Sequence, residues 1–183
     1  MEVFERQDLS TIVINAAGCG STLKEYGHLL QDDPRWAERA RRFSSKVKDL
    51  TEILSIRISD FGLRISDQRF VTYHDACHLA HPQHITKPPR DLVKAVAGAN
   101  YVELPESDVC CGSAGSYNLT EPEMAARLQQ RKVQNILKTG AKIVVTTNPG
   151  CLLQIRAGLH KANAKDVQAM HIADYLDCTM PKA

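Results

Sequence analysis

The chain has 183 residues, a net charge of +2, 43% hydrophobic residues and 24% charged residues. This is the profile of an ordinary globular protein, long enough for one sizeable domain or two small ones. Interleaved charges and only 5% aromatic residues point away from nucleic acid, and no apolar run approaches the length of a membrane span. The opening MEVFERQDLS lacks a secretory layout, so a cytoplasmic, reducing setting is expected.

In chain order, Thr11–Asn15 (TIVIN) reads as a buried strand, followed by the small-residue turn around Gly18, Cys19 and Gly20 and a helix start. This glycine pattern lacks the third glycine of a dinucleotide fingerprint, because Leu23 stands there, and a nicotinamide site is rejected. Trp36, Ala40, Phe43, Val47, Leu50 and Leu54 recur at four-three spacing and predict one five-turn amphipathic helix. The run Ser55–Gln68, with its internal echo IRISD/LRISD, reads as a connector.

Arg69–Tyr73 and Tyr101–Leu104 are predicted strands flanking a helix at Arg90–Ala97. A helix over Glu121–Lys138 is predicted, with Thr120 and Glu123 as a capping box, Pro122 in its first turn and Gly140 past its end. Lys142–Thr146 and the weaker Val167–Ile172 are strands, and Leu152–His160 and Ile172–Leu176 are helices. Strand and helix alternate, which predicts an α/β fold with a parallel sheet flanked by helices.

One echo is larger. TIVINAAGCG and IVVTTNPGCL align with Cys19 on Cys151, 132 residues apart (151 − 19). Each is a strand, a small-residue turn, Gly-Cys and a helix start, which predicts a duplicated unit that the chain enters partway. The expected organisation is 1–55 as the end of a first module plus the long helix, 56–68 as connector, and 69–183 as the second module.

Six cysteines occur: Cys19, Cys77, Cys110, Cys111, Cys151 and Cys178. In a reducing compartment they read as ligands or reactive groups rather than staples. Cys77, the Cys110–Cys111 pair and Cys151 each follow a predicted strand. In a parallel sheet the loops at the carboxyl ends of the strands share one edge, so these four sulfurs can meet. Four thiolates suit structural zinc or an iron–sulfur cluster. The absence of C-x-x-C knuckles, and a vicinal pair that suits several metals better than one ion, favour the cluster. Gly112 lets the chain turn sharply after the pair, and the loop that includes Ser113 can bring N–H groups to the cluster sulfides. Packing cysteines in a tight turn remain the plain alternative.

The segments HDACHLAHPQ, ESDVCCGSAGSYN and TTNPGCLLQI resemble the cysteine-rich CCG module of the glycolate oxidase iron–sulfur subunit family, which is related to heterodisulfide reductase and lactate-utilisation proteins. NAAGCGSTLKEYG resembles the end of a first such module. The resemblance implies a Rossmann-like CCG module preceded by the tail of a truncated first one. It also implies a [4Fe–4S] cluster held by Cys77, Cys110, Cys111 and Cys151. Electrons would pass from flavin-containing glycolate oxidase subunits toward a membrane carrier, with the chain at the inner face of the membrane as part of a complex and not catalytic alone. The expected partners are those flavin subunits and the missing N-terminal iron–sulfur region. Two departures stand out. Asn148 replaces a cysteine that many members carry, and four cysteines rather than five favour a regular cubane over the noncubane type.

HDACHLAHPQH holds His74, His78, His81 and His84 and reads first as a solvated, turn-rich loop. The resemblance places His74 and His78 beside the cluster loop, where a hydrogen bond to a cysteine sulfur raises the potential. Cys178 reads as a free thiol, and Cys19 as a residue of the other module. Two other function classes fit the same cysteines: a zinc-stabilised interaction module and a vicinal-dithiol redox protein.

Overall fold

The computed structural model describes residues 1–57 and 69–179; the expected connector lies almost wholly outside these residues. The described chain is α/β, with two parallel sheets. Strands β1 (Ile12–Ile14) and β2 (Val47–Asp49) form one pair, and β3 (Val71–His74), β4 (Ile143–Thr146) and β5 (Gln168–His171) form a sheet in that order. Tyr101 extends the larger sheet by a single parallel bridge to Val71. The expected strand at Tyr101–Leu104 is thus reduced to one paired residue.

Register explains the two faces of the larger sheet. Val71 and Tyr73 pair with Ile143 and Val145, and Met170 lies beside Val145. Their side chains meet Leu92, Val93 and Val96 of α6 (Lys87–Ala97) and Tyr175 and Leu176 of α10 (Ile172–Asp177). On the opposite face Val144 and Ala169 pack with Leu79 of α5 (Cys77–Ala80). Val133 and Ile136 of α8 (Pro122–Lys138) and Ile155 and Leu159 of α9 (Pro149–Lys161) complete that face. Each such side chain contributes about 1.5–3 kcal/mol when fully buried. Every residue of β3 and β4 is buried, as expected of parallel strands covered on both faces.

The smaller unit carries α1 (Glu2–Glu5), α2 (Ala17–Leu29), α3 (Ala37–Lys46) and α4 (Leu50–Ile56) around a core of Ile12, Phe43 and Val47. The predicted five-turn helix from Trp36 to Leu54 is broken into α3, β2 and α4. Val47 leaves α3 with extended torsions and pairs with Ile12. Asp49 then starts α4 with a full capping box: its carboxylate accepts from the Thr51 N–H at 2.8 Å, and Glu52 accepts from the Asp49 N–H at 2.8 Å. The apolar seam is real, but β-branched Val47 and the Asp-x-x-Glu cap end one helix and begin another within it.

A second correction concerns α8. Glu121, not Thr120, is its N-cap, with no side-chain cap, and the Thr120 hydroxyl donates to the Tyr117 carbonyl of the short α7 (Tyr117–Thr120). Pro122 does sit in its first turn, and Gly140 follows its end at φ +71°.

The internal echo survives in three dimensions. Helices α2 and α9 both have 13 residues, and both carry their cysteine at the third position. Each leads to a strand that pairs parallel with the preceding one, β2 with β1 and β5 with β4. Each second strand ends in the cap of the next helix: Asp49 accepts from the Thr51 N–H, and the His171 Nδ1 accepts from the Ala173 N–H at 3.2 Å. Helix α3 is the extra element of the first copy. The Gln83 amide joins the units by donating to the Ala17 carbonyl at 2.9 Å and the His78 carbonyl at 3.0 Å.

Candidate metal centre

The carboxyl ends of β3 and β4 and the loop after Leu104 bring four cysteines to one place. Cys77 opens α5 directly after β3. Cys110 and Cys111 stand in the loop between Tyr101 and α7. Cys151 lies in the first turn of α9 after β4. Cys77 contacts Cys110, Cys110 contacts Cys111, and Cys111 contacts Cys151. Burial deepens along this row: Cys77 and Cys110 are half-buried, whereas Cys111 is 1% and Cys151 3% exposed. All six cysteines are free thiols, and Cys19 and Cys178 are exposed.

The thiols set each other's ionisation. Cys110 accepts from the thiols of Cys111 and Cys77 and from the Gly112 N–H at 3.3 Å, which lowers its pKa. Cys151 is likewise lowered, by Cys111, by the buried His74 ring and by the Asn148 amide, which donates to its sulfur at 3.5 Å, against the opposing effect of burial. Cys111 is raised by donating to Cys110 and Cys151 and by burial; Cys77 is raised by its bond to Cys110 and by burial. Four sulfurs this close cannot all be anionic without a cation among them.

Backbone constraints fix the vicinal pair. Gly112 adopts φ +89°, and a Cβ there would lie 2.3 Å from the Ala125 carbonyl oxygen of α8, so only glycine fits. Ser113 is buried, and its Oγ would stand 2.9 Å from a Cβ on Gly150, which brings the pair's loop against the Cys151 turn.

Two basic side chains, one half-buried and one fully buried, hold the loops together. The Arg90 guanidinium donates to both oxygens of Asp75, at 3.1 and 2.8 Å, and to the Ser107 hydroxyl at 3.0 Å. The Asp75 N–H donates to the Ser107 carbonyl at 3.1 Å. This ties the Cys77 loop to the loop of the pair. Lys132 of α8, 2% exposed, donates to the Glu106 carbonyl and to the Ser107 carbonyl at 3.3 Å. Sequence reasoning missed both; a lysine on the apolar stripe of α8, between Gln129 and Val133, was the available signal.

The histidine-rich run divides. His78, His81 and His84 are exposed, as a solvated loop requires, with the His78 Nδ1 3.6 Å from the Cys77 sulfur. His74 departs from that reading. It is the last residue of β3 and fully buried, and a ring nitrogen lies with the Cys111 and Cys151 sulfurs inside a group whose members are all within 4.8 Å of one another. Neither His74 nitrogen has a hydrogen-bond partner of good geometry.

A soft sulfur donor set, a buried imidazole without a well-formed hydrogen bond and a glycine that brings backbone onto the pair together fit a metal centre. This α/β cysteine-rich architecture matches a known family: residues 71–156 fit the model of the CCG cysteine-rich domain. "Lactate utilization protein A" of Lysinibacillus sphaericus is 31% identical over 177 residues, 96% of this chain and 75% of that protein. The "Probable glycolate oxidase iron-sulfur subunit" of Bacillus subtilis is 42% identical over 175 residues, 94% of this chain but 39% of that protein. A fumarate reductase (CoM/CoB) component of Methanothermobacter marburgensis is 36% identical over 167 residues, 91% of this chain and 32% of that protein. The chain belongs to the CCG cysteine-rich family that includes the glycolate oxidase iron–sulfur and lactate utilization A proteins, and it spans about two fifths of the length of the glycolate oxidase relative.

Proposed function

We propose that the chain is an electron-transfer module that holds one iron–sulfur cluster, of the [4Fe–4S] type, through Cys77, Cys110, Cys111 and Cys151. The observation that carries this reading is the convergence of four thiols from three separate loops on one buried site. Such a cluster supplies one-electron storage. The protein's part is to fix the donors and set their surroundings. The Gly112 N–H and the Asn148 amide donate toward sulfur, and hydrogen bonds of that kind raise a cluster's potential. Ala76, Leu79, Leu104 and Leu152 form the apolar wall beside Cys111 and Cys151 and keep water from the inner sulfurs. His78 and Ser113 border the site.

The relatives supply the setting. Glycolate and lactate are both 2-hydroxy acids, and the names of two relatives refer to them. In our reading a flavin subunit oxidises the hydroxy acid by two electrons, and this module takes them one at a time toward a membrane carrier. The partners are then flavin-bearing subunits and a further iron–sulfur protein or region that receives or relays the electrons. The module works at the cytoplasmic side of the membrane as part of that complex; among the described residues no helix is long and apolar enough to cross a membrane. Residues 1–55 represent the end of a first module and 69–183 the second.

Anaerobic loading with iron and sulfide, followed by metal and sulfide analysis and EPR, tests this. The full chain should bind iron and acid-labile sulfide, and Cys111→Ser should lose the signal. The compact His74, Cys111 and Cys151 trio also suits a single zinc ion. Stoichiometric zinc with no sulfide would replace the cluster by a structural metal site.

A further inference from the structure

We propose that His74 is a nitrogen ligand of this metal centre, so that the centre has five protein donors, four sulfur and one nitrogen. The proposal rests on the iron–sulfur reading above and deepens it.

Three observations point to ligation. First, position: His74 ends β3 in register with Thr146 of β4, and its backbone is fixed by that pairing. Together with Thr72 it lies on the sheet face that carries Val144, the face packed against Cys111 and Cys151. Second, proximity: its ring nitrogen and the two inner sulfurs all lie within 4.8 Å of one another. Third, an incompletely met need: His74 is 0% exposed and makes no hydrogen bond of good geometry, although its ring acts on the Cys151 sulfur and lowers that thiol. A neutral imidazole has one donor and one acceptor nitrogen, and with the donor toward sulfur the buried acceptor still bears its desolvation cost. A metal bond satisfies the acceptor.

The other nitrogen of a metal-bound histidine ordinarily donates to a nearby oxygen. Thr146, its register neighbour, has a buried hydroxyl that also lacks a partner. Asn148 plays a different part, since its amide already donates to the Cys151 sulfur.

Nitrogen ligation has a consequence for the centre. A neutral imidazole adds no negative charge where a fifth thiolate would, and histidine ligands raise the potential of iron–sulfur centres. Five donors also exceed the one per iron that a four-iron cube requires, so the ligation bears on cluster type.

The test is pulsed EPR on the anaerobically loaded full chain, made with ordinary and with heavy-nitrogen histidine. The expected result is a coupling of the size of a directly bonded nitrogen that changes with the label. It should be lost in His74→Gln and kept in His78→Gln, with circular dichroism verifying the fold of both. A cluster signal without a label-sensitive direct coupling in the unsubstituted protein overturns the proposal whether or not the variants fold. A coupling that persists in His74→Gln overturns it equally. If no iron–sulfide centre assembles in the unsubstituted protein, the electron-transfer reading falls as well, which separates the two failures.

Discussion

The two copies of the strand–turn–Gly-Cys–helix unit differ sharply in what surrounds their cysteine. Both helices have 13 residues and both present the cysteine at the third position. Around Cys151 stand Cys111, His74 and the Asn148 amide, and the residue is 3% exposed. Cys19 is exposed, and α2 instead offers its Ala17 carbonyl to Gln83 of the other unit. The repeated unit therefore supplies a place for a cysteine at a helix start, not a site. The site comes from the two loops that only the larger unit adds, those of Cys77 and of the vicinal pair.

Breaking the richer copy should have the largest effect. Cys151→Ser and Cys111→Ser should each abolish most cluster assembly, measured as iron and sulfide per chain, while Cys19→Ser leaves it unchanged. If Cys19→Ser abolished assembly, the two copies would share one centre.

Next in size is the backbone of the pair. Gly112→Ala forces a side chain into positive φ and against the Ala125 carbonyl. A destabilisation of about 2–4 kcal/mol is expected in urea unfolding, from the left-handed conformation and the overpacking combined. Gly115, also at positive φ but with nothing within 4 Å of a Cβ, should lose only about 1–2 kcal/mol as Gly115→Ala.

The Asp75–Arg90 pair is the link between loops that the Cys19 copy lacks. Asp75 is 4% and Arg90 21% exposed at the side chain. Arg90→Met should cost about 2–4 kcal/mol, less than a wholly buried pair because Arg90 still reaches solvent. It should also broaden the cluster's EPR lines if the Cys77 loop loosens. A stable variant with unchanged lines would reduce this pair to a surface contact.

The smallest effect is on pH dependence. The thiols shift one another's ionisation, Cys77 and Cys111 upward and Cys110 and Cys151 downward, so the row holds protons that a metal must displace. Metal binding must remove the thiol protons that remain on the row, so loading should tighten as pH rises. Iron bound per chain after anaerobic loading across a pH series measures this. Loading that does not change with pH would contradict it.

The comparison also explains what was legible in the sequence. The four-residue buried strands around Val71 and Val144, and the 132-residue echo, are written in local pattern and appear as expected. So is the approach of the Cys77 and Cys151 loops to one edge, because β3 and β4 are parallel neighbours, whereas the loop of the pair follows a single bridged residue rather than a strand. The break at Val47 was hidden, since a four-three apolar seam is equally served by two helices joined through a strand. The burial of His74 was hidden for a similar reason, although the family resemblance had placed it beside the cluster loop. Four histidines in eleven residues look solvated, and only strand register reveals that the first belongs to β3 and points inward. The Arg90 and Lys132 contacts join residues 15 to 26 positions apart through loop carbonyls and carboxylates, which no periodicity encodes.

Parallel anaerobic loading of the unsubstituted chain, Cys151→Ser and Cys19→Ser, with iron and acid-labile sulfide counted in each, bears most directly on the centre. The expected outcome is one iron–sulfide centre in the unsubstituted chain and in Cys19→Ser and almost none in Cys151→Ser. Equal loading of all three, or zinc with no sulfide, would contradict a cluster held where these four thiols meet.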